Sequence, residues 1–284
     1  MVSRLWMALL CGLLNLLLAT PSLAQTPLIF GVHPFLPATE LHKRFQPLIT
    51  FLMHELQRPV QFHVAANYAE HLKNLVDNQI DIAYLGPYPY IKLVHDFTQP
   101  RLLAQLRVNG ENAYHGVIFT YEKASLQSLA DLRGKRMAFG DVDSTMSHLI
   151  PLKMLQQAGV KKVDLGGFQH VNNHLNVVYG VLTGLFDAGA TKESTYHQYA
   201  AWGLRVLARS PAVPNHVLVA RATLPNAHIE AVKAALAKIG SGTLDTLILK
   251  PLKPNITGLG PVTDADFDGL RRLLSVPIPQ RGQP

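Results

Sequence analysis

The chain has 284 residues, of which 48% are hydrophobic, with 26 Lys and Arg against 19 Asp and Glu, 13 His and one cysteine. This composition indicates an ordinary globular protein, long enough for one large domain or two modest ones. The positive balance favours anionic partners, but the longest basic runs are only Lys161-Lys162 and Arg271-Arg272. Such dispersed charge predicts no nucleic-acid partner.

The first 24 residues have the pattern of a secretory signal peptide. Arg4 precedes an apolar run that is shorter than the roughly 20 residues of a membrane span, and Ser22-Leu23-Ala24 suits cleavage after Ala24. An uncleaved anchor is the alternative. Cleavage would remove Cys11, the only cysteine, so the mature protein would have neither a disulfide nor a thiol nucleophile. We therefore predict a periplasmic protein whose mature chain is not embedded in a membrane.

Beyond this leader, short apolar strands alternate with amphipathic helices. The first strands are predicted at 28–33, 60–64, 81–86 and 102–108, and the first helices at 39–56 and 68–78. An extended apolar run follows at 114–124. The later strands are predicted at 135–139, 168–171, 187–191 and 204–209, and the later helices at 145–158, 173–184, 194–202, 226–240 and 264–275. This alternation predicts an α/β protein with a mostly parallel sheet.

Two extended segments, 114–124 and 216–221, bracket the middle block of the chain. They suggest two α/β lobes joined by two crossover strands, with lobe 1 formed by 27–115 plus 213–284 and lobe 2 by 116–212. In such an architecture a ligand binds between the lobes, and hinge closure is the usual motion. A single doubly wound domain is the alternative that periodicity leaves open.

Three hydroxyls are crowded at a predicted strand-to-helix junction, in the stretch "AFGDVDSTMSHLIP" (138–151). One hydroxyl would be an ordinary helix cap. Three within four residues, Ser144, Thr145 and Ser147, exceed what a cap requires, and hydroxyls beside free helix N–H groups can bind an oxyanion such as phosphate. From these residues alone, a cap and an anion site are equally supported.

Other chemistries find little support in the sequence. His170 and His174 are four residues apart but flank a strand end, without the three or four convergent ligands of a transition-metal site. Asp141 and Asp143 are better placed to orient the hydroxyl-bearing loop than to perform acid–base catalysis. The chain has no Gly-x-Ser-x-Gly elbow, Walker loop or dinucleotide fingerprint. We therefore expect no metal, no cofactor and no enzymatic activity.

Four segments resemble the phosphate/phosphite/phosphonate-binding proteins of ABC importers. In order they are "NYAEHLKNLVDNQIDIAYLGPYPY" (67–90), "YHGVIFT" (114–120), "SLADLRGKRMAFGDVDSTMSHLIPLKMLQQAG" (128–159) and "HLNVVYGVLTGLFDAGAT" (174–191). The resemblance implies the two-lobed type II periplasmic-binding fold, in which each lobe is a mixed sheet flanked by helices.

The resemblance also implies which residues hold the ligand. Family members grip the oxyanion at the helix start, which places Ser144 and Thr145 on it. The family's usual Ser-Gly is here Met146-Ser147, so Ser147 either replaces the lost hydroxyl or crowds the site. Three further donors are implied, namely Tyr68, Tyr114 and His174. In "GPYPY" (86–90) and just before it, one of Tyr84, Tyr88 and Tyr90 lines the cleft, or the segment forms a packed turn.

Two positions on the opposite wall bear on specificity. Members that recognise an amino group carry carboxylates there; Glu193 matches one such position, whereas His216 stands where the other acid is expected. An ammonium would thus lose a charge-assisted partner worth roughly 1.5–3 kcal/mol. The substitution predicts that aminoalkyl phosphonates are less favoured than phosphite, phosphate or a small uncharged phosphonate.

Together these features predict a periplasmic solute-binding protein that captures a phosphorus oxyanion for an ABC permease. The alternative is a sensory protein of the same fold, which signals ligand occupancy to a membrane receptor or kinase.

Overall fold

The computed structural model describes residues 25–97, 99–239, 247–253 and 255–279. The predicted signal peptide lies outside these ranges, so its cleavage stays a prediction. Within the described ranges, no helix is long and apolar enough to cross a membrane.

Thirteen strands are present in the described residues, and most fall where the alternating pattern predicts them. In chain order they are β1 (Leu28–Val32), β2 (Val60–Val64), β3 (Ile82–Leu85), β4 (Arg101–Val108), β5 (Ala113–Tyr114), β6 (Gly116–Tyr121), β7 (Arg136–Phe139), β8 (Gly167–His170), β9 (Ala188–Lys192), β10 (Leu204–Arg209), β11 (Val213–Pro214), β12 (Val217–Ala220) and β13 (Ile256–Gly260).

The main α-helices follow the same order along the chain. They are α1 (Ala38–Leu56), α2 (Tyr68–Val76), α3 (Pro87–Asp96), α4 (Ile150–Gln157), α5 (His174–Leu182), α6 (Glu193–Tyr199), α7 (Asn226–Ala237) and α8 (Asp268–Leu274). Helix α3 replaces the packed turn that "GPYPY" suggested. Its two prolines lie in the first turn, where a missing N–H removes no intrahelical hydrogen bond.

The strands form two sheets, each with helices packed against it, which confirms the two-lobed α/β fold with mixed sheets. The first sheet has the order β13-β4-β12-β3-β1-β2, and the second has the order β10-β6-β9-β7-β8. The expectation of a mostly parallel sheet was wrong. In the first sheet only β1 pairs in parallel, with β2 and β3, whereas β12 and β13 pair antiparallel to their neighbours.

The antiparallel strands have a topological cause. Strand β12 enters the first sheet after the chain has passed through the second one, so no β-α-β crossover sets its direction. The second sheet is mixed in the same way, with β7 parallel to β8 and β9 but β6 antiparallel to β9 and β10.

Two short strands connect the sheets. Strand β5 runs toward the second sheet and β11 returns from it, and they pair antiparallel with Tyr114 opposite Val213. We propose residues 115/116 and 212/213 as the lobe boundaries, because β6 to β10 all belong to the second sheet and the remaining long strands to the first. This ribbon places Tyr114 at the junction of the two lobes.

Each sheet buries its apolar residues under helices. Helix α1 packs Leu41, Phe45 and Leu52 into the core of the first lobe, as its apolar period predicts. A separate cluster around Phe119 and Val177 fills the second lobe beneath α5. Both sheets are thus supported on rigid cores, and the polar residues at their facing ends are left to form the site.

Candidate functional site

The site lies where the carboxyl ends of strands from the two sheets face each other. His33 follows β1, Gly140 follows β7, and Lys192 is the last residue of β9. In α/β folds ligands bind at such strand ends, where loops and helix N-termini converge.

The hydroxyl-bearing segment forms one π-helical turn, Thr145–Leu149, ahead of α4. The Leu149 N–H donates to the Ser144 carbonyl at 3.1 Å, and the Ser144 hydroxyl accepts from the Ser147 N–H at 3.2 Å. Single π-turns occur mostly at functional sites. Pro151, with no N–H to donate, follows within α4. Ser144 is thus a true N-cap, and the turn it caps is wider than that of an α-helix.

Ser147 has a structural contact that the sequence did not predict. Its hydroxyl accepts from the Gly140 N–H at 2.9 Å and donates to the Ala190 carbonyl. A Cβ on residue 140 would lie 2.7 Å from the Ser147 hydroxyl oxygen, so the close approach requires glycine. Because its single proton is directed to Ala190, Ser147 ties the end of β7 to β9.

The other two hydroxyls meet tyrosines from across the cleft. The Ser144 side chain lies close enough to the Tyr68 phenol to lower its pKa, and the Thr145 hydroxyl has the same effect on the Tyr114 phenol. Thr145 also accepts from the Tyr88 N–H at 3.0 Å. Burial raises the pKa of both phenols, helped by the Asp141 carboxylate in the case of Tyr68, so both stay neutral donors.

His174 begins α5 and faces the same space. Its Nδ1 lies 3.0 Å from the Thr191 hydroxyl oxygen and accepts from the Lys192 N–H at 3.3 Å. Burial, followed by the Lys192 charge and His33, lowers the pKa of His174 well below its usual value. A neutral ring whose Nδ1 accepts carries its proton on Nε2, which is then the donor available to a ligand.

The floor of the cleft is aromatic. The His216 ring stacks on Tyr84 at 4.9 Å between centroids, and the His33 ring lies nearly parallel to both, 5.8 Å from Tyr84 and 6.1 Å from His216. His33 donates from Nδ1 to the Tyr84 carbonyl at 3.0 Å. Burial is the main cause of the low pKa of both histidines. Of the three tyrosines considered near "GPYPY", Tyr84 is therefore the one on the cleft floor, and His33 was missed.

Two lysines in the cleft were also missed. The Lys192 ammonium lies 3.8 Å from the centroid of the Phe35 ring, and the Lys253 ammonium lies 5.4 Å from that of Tyr114. Burial lowers the pKa of Lys192 strongly and that of Lys253 to about 8. The signal for Lys192 was available, because it lies between a predicted strand (187–191) and Glu193.

Glu193 is already bound to a cationic side chain, Arg209. Its two carboxylate oxygens accept from Arg209 Nε at 2.6 Å and Nη2 at 2.9 Å. This bidentate pair is the first cause of the lowered pKa of Glu193. The carboxylate is thus ionised and already partnered, in a groove that Tyr114 and Lys253 also line.

Asp141 and Asp143 orient the loop before the π-turn, as predicted. Asp141 accepts from the Asp143 N–H at 2.8 Å and lies 3.5 Å from the Tyr68 N–H, and Asp143 pairs with Lys92 at 3.0 Å. Among the described residues, no group of three or more His, Cys, Asp or Glu is placed to hold a metal ion.

The fold agrees with that of known proteins. A family model described as "ABC transporter, phosphonate, periplasmic substrate-binding protein" matches residues 30–267. The chain belongs to this family. Substrate-binding proteins of this family are transport components located outside the cytoplasm.

Individual relatives are distant. The chain is 23% identical over 263 residues to the phosphate-import protein PhnD of Mycolicibacterium smegmatis, which covers 84% of this chain and 82% of that protein. It is 25% identical over 166 residues to a probable ABC transporter phosphite-binding protein of Prochlorococcus marinus, covering 55% and 54%.

Solved structures share the fold. A binding-protein component of an ABC phosphonate transporter from Pseudomonas aeruginosa superposes with a TM-score of 0.81 at 19% identity, covering 88% of this chain and 85% of that one. PhnD1 from Prochlorococcus marinus in complex with methylphosphonate superposes with a TM-score of 0.80 at 19% identity, covering 87% and 96%.

Proposed function

We propose that this protein captures a phosphorus oxyanion, such as phosphite, phosphate or a phosphonate, between its lobes and delivers it to an ABC permease. The observation that carries the proposal is that Ser144 and Thr145 lie beside the phenols of Tyr68 and Tyr114. The proposal places the protein in the periplasm as a carrier without catalytic activity.

The donors suit this ligand class. An oxyanion between the lobes would accept from the Ser144 and Thr145 hydroxyls, the two phenols and the His174 Nε2–H. Hydrogen bonds to a charged acceptor contribute about 1.5–3 kcal/mol each. Four near the upper value give about 12 kcal/mol in gross terms, which leaves micromolar affinity, about 8 kcal/mol, after an association cost of about 4 kcal/mol. Ser147 supports the site by shaping the π-turn rather than by donating its proton.

Closure follows from which lobe supplies each donor. The hydroxyls of Ser144 and Thr145 belong to the second lobe. Tyr68 starts a helix of the first lobe, and Tyr114 lies in the connecting ribbon. A ligand that bonds both sets favours the arrangement in which the lobes touch. The bound, closed form is the one that we propose docks on the permease.

The electrostatics disfavour a ligand with an ammonium group. His216 is buried and stacked on Tyr84, and Glu193 is bound to Arg209. The buried Lys192 and the half-buried Lys253 lie nearby. We therefore propose phosphite, phosphate or an uncharged or anionic phosphonate over 2-aminoethylphosphonate.

A thermal-shift screen, followed by calorimetry, tests the function. The mature protein is mixed with phosphate, phosphite, methylphosphonate, 2-aminoethylphosphonate and sulfate, and a selective rise in melting temperature identifies the ligand class. The Ser144→Ala, Thr145→Val double variant should lose that rise while keeping its circular dichroism spectrum. Ser125→Ala, an exposed hydroxyl of the same lobe, is the control. Unchanged binding by the double variant would remove the assigned site.

A further inference from the structure

A small enclosed cavity lies beside the aromatic floor of the cleft. Its volume is about 30 Å³, and its charged lining residues are Arg44, Lys192 and Lys253. Arg44 is already paired with Glu40 at 2.8 Å. A cavity of this size has room for about two waters, or for one carboxylate group. The cavity is therefore a polar compartment with cationic walls.

Lys192 is the unusual member of this cavity. Only 8% of the Lys192 surface is exposed to solvent, and its ammonium lies 3.8 Å from the centroid of the Phe35 ring. In the part of the chain that the structure describes, no carboxylate lies within ion-pair distance of either Lys192 or Lys253. An amine buried in this way is unfavourable in its charged form unless an anion joins it. Burial accordingly lowers the pKa of both lysines.

The cavity adjoins the residues of the proposed phosphorus oxyanion site. Thr145 lies beside the Tyr114 phenol, the Tyr114 ring lies 5.1 Å from that of His216, and His216 lines the cavity together with Lys192. The Lys253 ammonium lies over the same Tyr114 ring. The hydroxyl turn and the lysine-lined cavity are thus neighbours of one aromatic pair, Tyr114 and His216.

We infer that the preferred ligand is a short phosphonocarboxylate, whose phosphonate binds the hydroxyl turn and whose carboxylate enters the cavity between Lys192 and Lys253. This inference rests on the proposed function and adds the chemistry of the ligand's second end. The carboxylate supplies the anion that Lys192 otherwise lacks and adds to the Glu193 charge near Lys253, and it forms charge-assisted hydrogen bonds in a largely desolvated compartment. Burial lowers the pKa of Lys192, and a carboxylate beside the amine raises that pKa again, so binding is accompanied by proton uptake from solvent.

Calorimetry with the mature protein tests the inference, using methylphosphonate, phosphonoacetate and 3-phosphonopropionate as probes. A phosphonocarboxylate should bind at least about tenfold more tightly than methylphosphonate, as one charge-assisted hydrogen bond would give. Titrations in buffers of different ionisation enthalpy should show proton uptake for the phosphonocarboxylate. The Lys192→Met variant should lose both the preference and the uptake. Lys123→Met removes an exposed charge of the same lobe and should change neither.

The outcomes separate this inference from the function on which it rests. If methylphosphonate binds as tightly as both phosphonocarboxylates, the inferred carboxylate site is wrong, whereas the proposed phosphorus oxyanion site is retained. If Lys192→Met weakens all probes equally, Lys192 holds the phosphonate itself, and the inference is again overturned. If the wild-type protein binds none of the probes, both the function and the inference fail.

Discussion

Two buried cations of this protein have opposite surroundings. Arg271 is 1% exposed, and its Nη1 donates to the Asp264 carbonyl at 2.9 Å and to carboxylate oxygens of Asp264 and Asp268 at 3.1 and 2.8 Å. The Tyr90 phenol donates to the same Asp264 carboxylate at 2.9 Å. Lys192 is almost as buried, yet its described neighbours are an aromatic ring, histidines and another lysine.

The difference distinguishes a structural role from a binding role. The Arg271 cluster is complete without a ligand, and it joins α8 to α3 through protein groups alone. The charged form of Lys192 has no such partner among the described residues, so burial lowers the pKa of the amine, and a bound anion would raise it again. A buried cation that lacks a protein counter-ion and faces a cavity is therefore the better guide to a ligand.

The largest expected effect comes from breaking the complete cluster. Arg271→Met leaves the Asp264 and Asp268 carboxylates buried without their cation, which should lower the free energy of unfolding by about 3–5 kcal/mol. Denaturant titration measures this loss. Arg272→Met, the exposed neighbour, should change the free energy by less than about 1 kcal/mol. Equal effects of the two variants would contradict the structural role of Arg271.

A second basic group without a counter-ion, His71, should make the free energy of unfolding depend on pH in the acid range. Burial lowers the pKa of His71 to about 3, below its unfolded value near 6.5, so the unfolded state binds more protons at low pH. The stability that His71 contributes is thus complete above pH 6.5 and falls as the pH drops toward 3, by about 2 kcal/mol at pH 5.

Denaturant titrations at pH 7, 6 and 5 check this slope. His71→Gln should lose less free energy of unfolding than the wild type over this range, since glutamine does not titrate. The buried His174 and His216 remain in both proteins and add the same slope to each. His33 loses the repulsion of His71 in the variant, which reduces its slope in the same direction. Parallel curves for the two proteins would show that His71 is not held neutral.

Removing Lys192 should change the free energy of unfolding in the opposite direction to removing Arg271. In the absence of ligand, Lys192→Met should keep the free energy of unfolding unchanged or raise it by up to about 2 kcal/mol, because the folded state no longer buries an amine without a counter-ion. Thermal and denaturant unfolding measure this. A loss above 2 kcal/mol would mean that the contact with Phe35 makes Lys192 a structural residue like Arg271.

The two ends of the cleft also differ in how far the sequence predicts them. The hydroxyl turn is local, because Gly140, Ser144 and Pro151 lie within one stretch whose strand-to-helix handover can be recognised. The cationic end depends on Lys192, Lys253 and Phe35, which come together only when both lobes are folded. A lysine buried by tertiary packing has the same appearance in sequence as a surface lysine.

Local signals also failed in specific places. Ser147 was predicted either to replace the lost hydroxyl or to crowd the site, and nothing local indicates that the Ala190 carbonyl from another strand takes its proton. Helix α3 was missed because two prolines dominate its first turn. The mixed sheets were only implied by the family resemblance, since strand direction in β12 depends on where the returning chain enters the sheet.

The smallest effect is expected at the exposed pair of Glu193 and Arg209. Both Glu193 oxygens are taken by the guanidinium, so Glu193→Gln should change the free energy of unfolding by less than about 1 kcal/mol. For the same reason the affinity for 2-aminoethylphosphonate, measured by calorimetry, should change less than about threefold. Arg209→Met releases the carboxylate and should raise the affinity for this aminated ligand. A tenfold loss in Glu193→Gln would instead show that the carboxylate leaves Arg209 to bind an ammonium, which would reverse the preference for anionic ligands.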